Sequence, residues 1–312
     1  MSQEGMPRRR QCATMQVHSR LLEQDPGFRG RMIAFEHGFA RRALGVRDLK
    51  RRKLVTIPVV VHVVYRTTSE NISASQVKSQ IAVLNRDFRA RNPDRKRVPD
   101  VWKGLVGDAR VQFALAKRDP KGRPTSGITR TRTTRSGFGT GDTVKFAKSG
   151  GSAAWSASRY LNVWVCTLQG GLLGYAQFPG GPAKTDGVVI LNRAFGTSGT
   201  ARAPFDHGRT ATHEVGHWLN LRHIWGDTED CSGGDAVSDT PNAETPNQGK
   251  PTFPRISCGN GPHGDMFMNY MDYVDDAAMF MFTLGQISRM QAALDGPRKA
   301  LARAARQRGG RR

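Results

Sequence analysis

The chain has no run of eighteen apolar residues, so no stretch of it is long and greasy enough to cross a bilayer as a helix. Its opening, MSQEGMPRRRQCATMQVHSR, lacks the apolar core of a secretory leader, and export is expected to use another route or a trimmed precursor. Cysteine is scarce, at four in 312 residues (Cys12, Cys166, Cys231, Cys258), and a chain of this length can bury a large core without disulfides. Acids are few: 26 Asp and Glu face 48 Lys and Arg, a formal charge of +22. The basic residues show no interleaved aromatics, no Cys/His finger spacing and no recognition helix, so the excess reads as solvated surface and no specific nucleic-acid partner is expected. It is uneven. Residues 1–54 carry 13 basic residues against 5 acids, and 298–312 carry seven and none. The acids gather at Asp227, Glu229, Asp230, Asp235, Asp239 and Glu244, then at Asp265, Asp272, Asp275 and Asp276.

The first fifty residues read as weakly structured or short-helical and end in the basic linker DLKRRKL. A nearly continuous β-branched run, 55–65, predicts a buried strand and a boundary near residue 54. Ser73 caps a predicted helix through Val77, Ile81, Leu84 and Phe88, the strand–helix start of an α/β unit. Further strands are expected at 111–116, 161–165, 174–178 and 187–191, with 121–151 a surface loop holding one short element at 144–146. The VVILNRAFG stretch fits an edge strand, either plain or lining a cleft where a peptide could pair. Residues 224–271 show hardly a regular element, and such a span needs cross-links or metal to order it. Within it Cys231 and Cys258 bracket a long loop, as a bridge or as free thiols; Asp235, Asp239 and Thr240 fit either a calcium cage or ordinary turn caps. Thr283 and Gln286 form a capping box for a closing helix that Gly296 and Pro297 end.

The most telling stretch is HEVGHWLNLRH, residues 213–223. On a helix, His213 and His217 stand one above the other and can share an ion. Glu214 can hold and deprotonate a water there, and His223 must turn back to supply a third nitrogen, leaving one position open. Thr210 is the expected N-cap, and Asn220 the expected left-handed exit that lets His223 return. A bare HExxH also arises by chance; the third histidine and the turn signals separate this one from a pair of helix histidines.

With IPVVVHVVY, YLNVWVC, LLGYAQFPG, HEVGHWLNLRHIWGD, CSGGDAVSDTP and NYMDYVDD, the chain resembles metzincin metallopeptidases of the pappalysin family, in their small microbial, ulilysin-like branch. The likeness spans most of 55–295. It implies an α/β (α+β) zincin with a twisted mixed sheet and active-site helix in an upper lobe (55–222) and a mostly irregular lower lobe (223–296) ending in a helix. Asn220 departs from the family's glycine but tolerates the same conformation. The resemblance further implies zinc on His213, His217 and His223, Glu214 as general base and acid, Met271 in the turn beneath the metal, and Tyr273 near the oxyanion. Bottom-up, Met266, Met268, Met279 and Met281 rival Met271. It implies a Cys231–Cys258 bridge and bound calcium, with Asp235, Asp239 and Thr240 as the chosen ligands.

Asp276 takes the position that in Arg-preferring members floors the pocket after the scissile bond, so cleavage before Arg, with Lys weaker, is expected. RRRQCAT resembles a cysteine switch: Cys12 would cap the zinc, with the neighbouring arginines favouring its thiolate. Residues 1–54 become an inhibitory propeptide, Arg51, Arg52 and Lys53 a processing site, and 297–312 a basic tail. The expected product is a secreted, monomeric, zinc- and calcium-binding endopeptidase acting on Arg-containing proteins or peptides and held by its own propeptide. The rival readings are a basic interaction protein with a closed structural metal site, a degenerate peptidase used for binding, and a nucleic-acid binder.

Overall fold

The computed structural model describes residues 6–40, 49 and 51–303. Two helices come first, α1 (Thr14–Gln24) and α2 (Pro26–Ala40). The long strand β1 (Val55–Tyr65) follows, buried on both faces as its β-branched run dictates. Next come α3 (Ala74–Asp87), capped by Ser73 accepting from the Gln76 N–H, and a single turn, α4 (Asp100–Lys103). Strands β2 (Val111–Leu115), β3 (Ile128–Arg132), β4 (Leu161–Cys166), β5 (Gly174–Ala176) and β6 (Val188–Leu191) complete the main sheet. Helix α5 (Arg209–Trp218) precedes the irregular region, which holds the two-residue pair β7 (Gln248–Gly249) and β8 (Tyr273–Val274) and a 3-10 turn, Asp276–Ala278. Helix α6 (Leu284–Asp295) closes the fold behind the Thr283/Gln286 capping box.

The sheet order is β2-β1-β4-β6-β5, with β3 also on β1. One edge of β1 is shared: Val55–Val59 pair with β2 and Val61–Tyr65 with β3, while β4 lies on the other side. All pairings are parallel except β5 with β6. Two expectations are corrected here. The segment 121–151 contains β3, and the edge strand is β5, because β6 is enclosed between β4 and β5. The apolar residues of α3, α5 and α6 pack in one core, which also takes in Leu301 and Ala302. Arg298 is buried as well, forking onto Asp186 (2.8 and 2.9 Å) and donating to the Trp218 carbonyl at 2.7 Å. The body therefore extends past Gly296 into what composition marks as tail. A second core gathers Val17, Leu21 and Phe28 of the N-terminal segment with Phe138, Trp164, Tyr175 and Phe178.

Candidate metal centre and cleft

Helix α5 starts two residues earlier than its sequence signal: Gly208, at φ 75°, is the N-cap, and Thr210 lies inside the first turn. It ends as expected. Asn220 sits at φ 75°, the Asn220 N–H reaches the His217 carbonyl (2.8 Å) and the Leu221 N–H the Gly216 carbonyl (3.0 Å), a Schellman closure. The reversal brings His223 back to the two helix histidines.

Each imidazole is fixed by an acceptor at Nδ1: the Tyr270 carbonyl for His213 (2.7 Å), the Leu221 carbonyl for His217 (2.8 Å), and Asp227 for His223 (2.5 Å). With the proton on Nδ1, every Nε2 presents a lone pair. The three Nε2 atoms lie 3.0 to 3.3 Å apart. Three lone pairs so close repel one another unless a cation lies among them, and tetrahedral zinc spaces its nitrogens about 3.4 Å apart. Cys12 Sγ joins them, all four donor atoms lying within 4.8 Å of one another. Burial, then the charges of the neighbouring histidines, holds His213 and His217 well below the usual imidazole range. The donor set fits zinc.

Residues 6–40 lie over this centre. Gln11 and Ala13 exchange backbone hydrogen bonds with β5 and its approach, Leu173 N–H to Gln11 (3.0 Å) and Ala13 N–H to Gly174 (3.0 Å). Glu214 Oε2 accepts from Thr14 Oγ1 at 2.9 Å and from Cys12 Sγ at 3.4 Å. Tyr273 Oη donates to the Cys12 carbonyl (3.1 Å) and accepts from its N–H (3.3 Å). Arg10 is 2% exposed and pairs with Asp276 Oδ1 at 2.6 Å, while donating to Thr210 Oγ1 (3.1 Å) and the Val274 carbonyl (3.2 Å). Asp276 Oδ2 accepts from the backbone N–H groups of His207 (2.9 Å) and Arg209 (3.1 Å).

Residues 147–295 match the model of a family described as pregnancy-associated plasma protein-A, peptidase M43. A solved structure of a promirolysin mutant from Tannerella forsythia is 45% identical with a TM-score of 0.87, covering 96% of this chain and 99% of that one. Mature mirolysin from the same organism, in complex with a cleaved peptide, is 50% identical with a TM-score of 0.80, over 82% of this chain and 98% of that one. An extracellular metalloprotease of Arthroderma otae is 31% identical over 245 residues, 77% of each protein. Another, from Coccidioides posadasii, is 43% identical over 152 residues, 46% of this chain and 51% of that protein, so the chain spans about half of that relative's length. The chain belongs to peptidase family M43. As an M43 enzyme it is a zinc-dependent metalloendopeptidase of the metzincin-like fold, secreted, with a latent form. No helix among the described residues is long and apolar enough to cross a membrane.

Other residues of this M43 chain fall where the sequence indicates, with exceptions. Met271 lies directly beneath α5: a Cβ on Gly216 would come within 2.5 Å of its sulfur. Cys231 and Cys258 form a disulfide, and Cys166 is a buried thiol in β4. Asp235 accepts from Thr240 Oγ1 (2.8 and 2.9 Å), but Asp239 is elsewhere. Its oxygens take Thr283 Oγ1 (2.6 Å) and the Gly285 N–H (2.8 Å), because the unpaired N–H groups of α6's first turn compete for a carboxylate. The arginines near Cys12 do not lower its thiol: Arg10 is committed to Asp276, and burial, then the Glu214 charge, pushes the thiol well above its usual value. A cation among the histidines reverses that balance. Sequence reasoning missed Arg10, Thr14, Tyr270 and Arg209; for Arg10 the only signal was its place two residues before Cys12.

Proposed function

We propose that residues 1–54 hold the catalytic domain, which starts at 55 and takes in Arg298, Leu301 and Ala302, inactive as a propeptide, and that the freed enzyme cleaves peptide bonds before Arg, with Lys second. One observation carries this reading: a single segment puts a guanidinium on Asp276 and a thiol among the three histidines, two residues apart. His213, His217 and His223 would hold the zinc, with Cys12 as fourth donor in the latent chain. When bound, zinc supplies a Lewis acid for the scissile carbonyl and for the attacking water.

The chain's own residues do the rest. Glu214, whose carboxylate stands beside the histidine cluster and accepts from Thr14 and Cys12 here, would take the water's proton and return it to the leaving nitrogen. Tyr273, once released from the Cys12 backbone, has its hydroxyl free to donate to the tetrahedral oxyanion. Asp276, already oriented by two backbone N–H groups, receives the substrate guanidinium that Arg10 imitates. Processing near Arg51–Lys53 is part of the proposal; Arg52 is tethered to Gln291 (3.0 Å) and Asp295 (2.6 Å). Calcium is proposed at Asp235 and Thr240, without Asp239's side chain. Its support is a carboxylate 3% exposed whose hydrogen-bond partners among the described residues are a hydroxyl and an amide, and which burial raises to about 7.

The test is a peptide library cut by processed wild type and Asp276→Asn. The wild type is expected to cut before Arg, and the variant to lose that preference by about a hundredfold in kcat/KM, as loss of a buried charge pair implies. Equal Arg preference in both proteins would sink the reading.

A further inference from the structure

Behind the Asp276 pocket lies a second guanidinium that does not enter it. Arg209, the first residue of α5, is 6% exposed. One of its terminal nitrogens donates to the carbonyls of Asp276 (3.2 Å) and Met279, bracketing the short turn 276–278 from below. Its charge goes elsewhere. Asp94 receives a two-pronged pair at 3.0 and 3.2 Å, and Asp87 Oδ2 stands 3.0 Å from Nε in an ion pair that lacks hydrogen-bond alignment. The Tyr270 ring covers the guanidinium at 5.3 Å.

A buried arginine this near a buried carboxylate is the natural partner for it unless stronger bidders hold it. Two acids outside the pocket do so, and Asp94, with two aligned bonds, is the better placed. Burial lifts Asp94, but the Arg209 contacts outweigh it and hold the carboxyl below its ordinary range, so the pair is charged at neutral pH. Asp276 is thus left with one oxygen on backbone amides and the other open to an incoming cation, which here is Arg10.

We propose that Asp94 and Arg209 are positioning residues for the specificity pocket, Asp94 drawing the Arg209 guanidinium away from Asp276 so that its carboxylate stays available to the substrate. Without that pull, Arg209 would turn onto Asp276 and fill the pocket from beneath. This rests on Asp276 being the selector of Arg.

The experiment uses processed enzyme and paired peptides that differ only in having Arg or Leu after the scissile bond. For Asp94→Asn, at a partly exposed side chain, the Arg-over-Leu ratio of kcat/KM is expected to fall about tenfold, carried by KM for the Arg peptide, with Asp94→Glu restoring most of it. Arg209→Lys, which keeps the charge but not the fork, should lower the ratio in the same direction and covers the case in which Asp94→Asn does not fold. A merely structural role predicts a lower melting temperature and lower kcat for both peptides with an unchanged ratio, and that overturns the inference. Asp276→Asn separates the two levels. If it loses the preference while the Asp94 and Arg209 variants keep it, only this inference fails; if it keeps the preference, the Asp276 reading fails with it.

Discussion

The body of the molecule and the segment that covers it are held by different forces. The body is knitted by backbone: six strands pair along β1, β4 and β6, and α3, α5 and α6 bury apolar faces against them. The segment 6–40 contributes two backbone hydrogen bonds to β5 and its approach, plus an apolar patch from Val17, Leu21 and Phe28. Its remaining hold is through side chains set into polar receptors: Arg10 on Asp276, Thr14 on Glu214, Arg20 on Asp142 (2.6 Å), Glu36 on Arg289 (2.9 Å). A part meant to stay is stitched through its main chain. The segment proposed to leave is plugged into sockets, two of which, Asp276 and Glu214, the proposed chemistry needs empty.

The sharpest way to break this contrast is Glu214→Ala, which touches both sides. In the processed enzyme it should cut peptide turnover at least a thousandfold, the scale of losing a proton-transfer group, while zinc content by elemental analysis stays near one per chain. Undiminished turnover would remove Glu214 from the chemistry. The next largest effect tests a socket alone. Added in trans to processed enzyme, the N-terminal fragment with Arg10→Ala should inhibit about a hundredfold or more weaker than the natural fragment, since breaking a buried ion pair costs roughly 3–5 kcal/mol. An inhibition constant within twofold of the natural one would mean that the apolar patch and Cys12 suffice.

The smallest effect belongs to the body and should ignore the segment. Burial raises Asp87 to about 6 despite Arg209, so the folded state holds a proton that the unfolded chain releases near pH 4. Stability from this group is therefore present below about pH 4 and lost as pH rises through about 6, by roughly 2–3 kcal/mol. Asp87→Asn should flatten that part of the stability–pH curve, measured by denaturant unfolding, equally with and without residues 6–40. A flattening seen only in the full chain would tie Asp87 to the segment.

What could be read from sequence follows the same division. The histidine helix, its Asn220 exit and the capping box before α6 are local, so spacing and residue type suffice to find them. Strand β3, ITRTR, hides because its residues are polar and it is only five residues long, lying beside turns. The VVIL run reads as an edge, which in the fold is β5, because strand order is a tertiary fact that periodicity does not carry. Asp239 looks like any loop carboxylate until α6 is placed beside it. Arg10 meets Asp276 across 266 positions, and only its place two residues before Cys12 distinguishes it from Arg8 and Arg9.

Gly174 adds one last consequence. Any Cβ there would fall 2.9 Å from Glu214 Cγ and 2.9 Å from the Val189 carbonyl, so the strand edge presses its bare backbone against that carboxylate. The Glu214 methylene is thus wedged by the body, while its carboxylate is held by Thr14 and Cys12 of the cover. On the proposed reading, activation is then an uncorking: Cys12 and Thr14 depart, and the carboxylate they held is released against a strand edge that stays where it was.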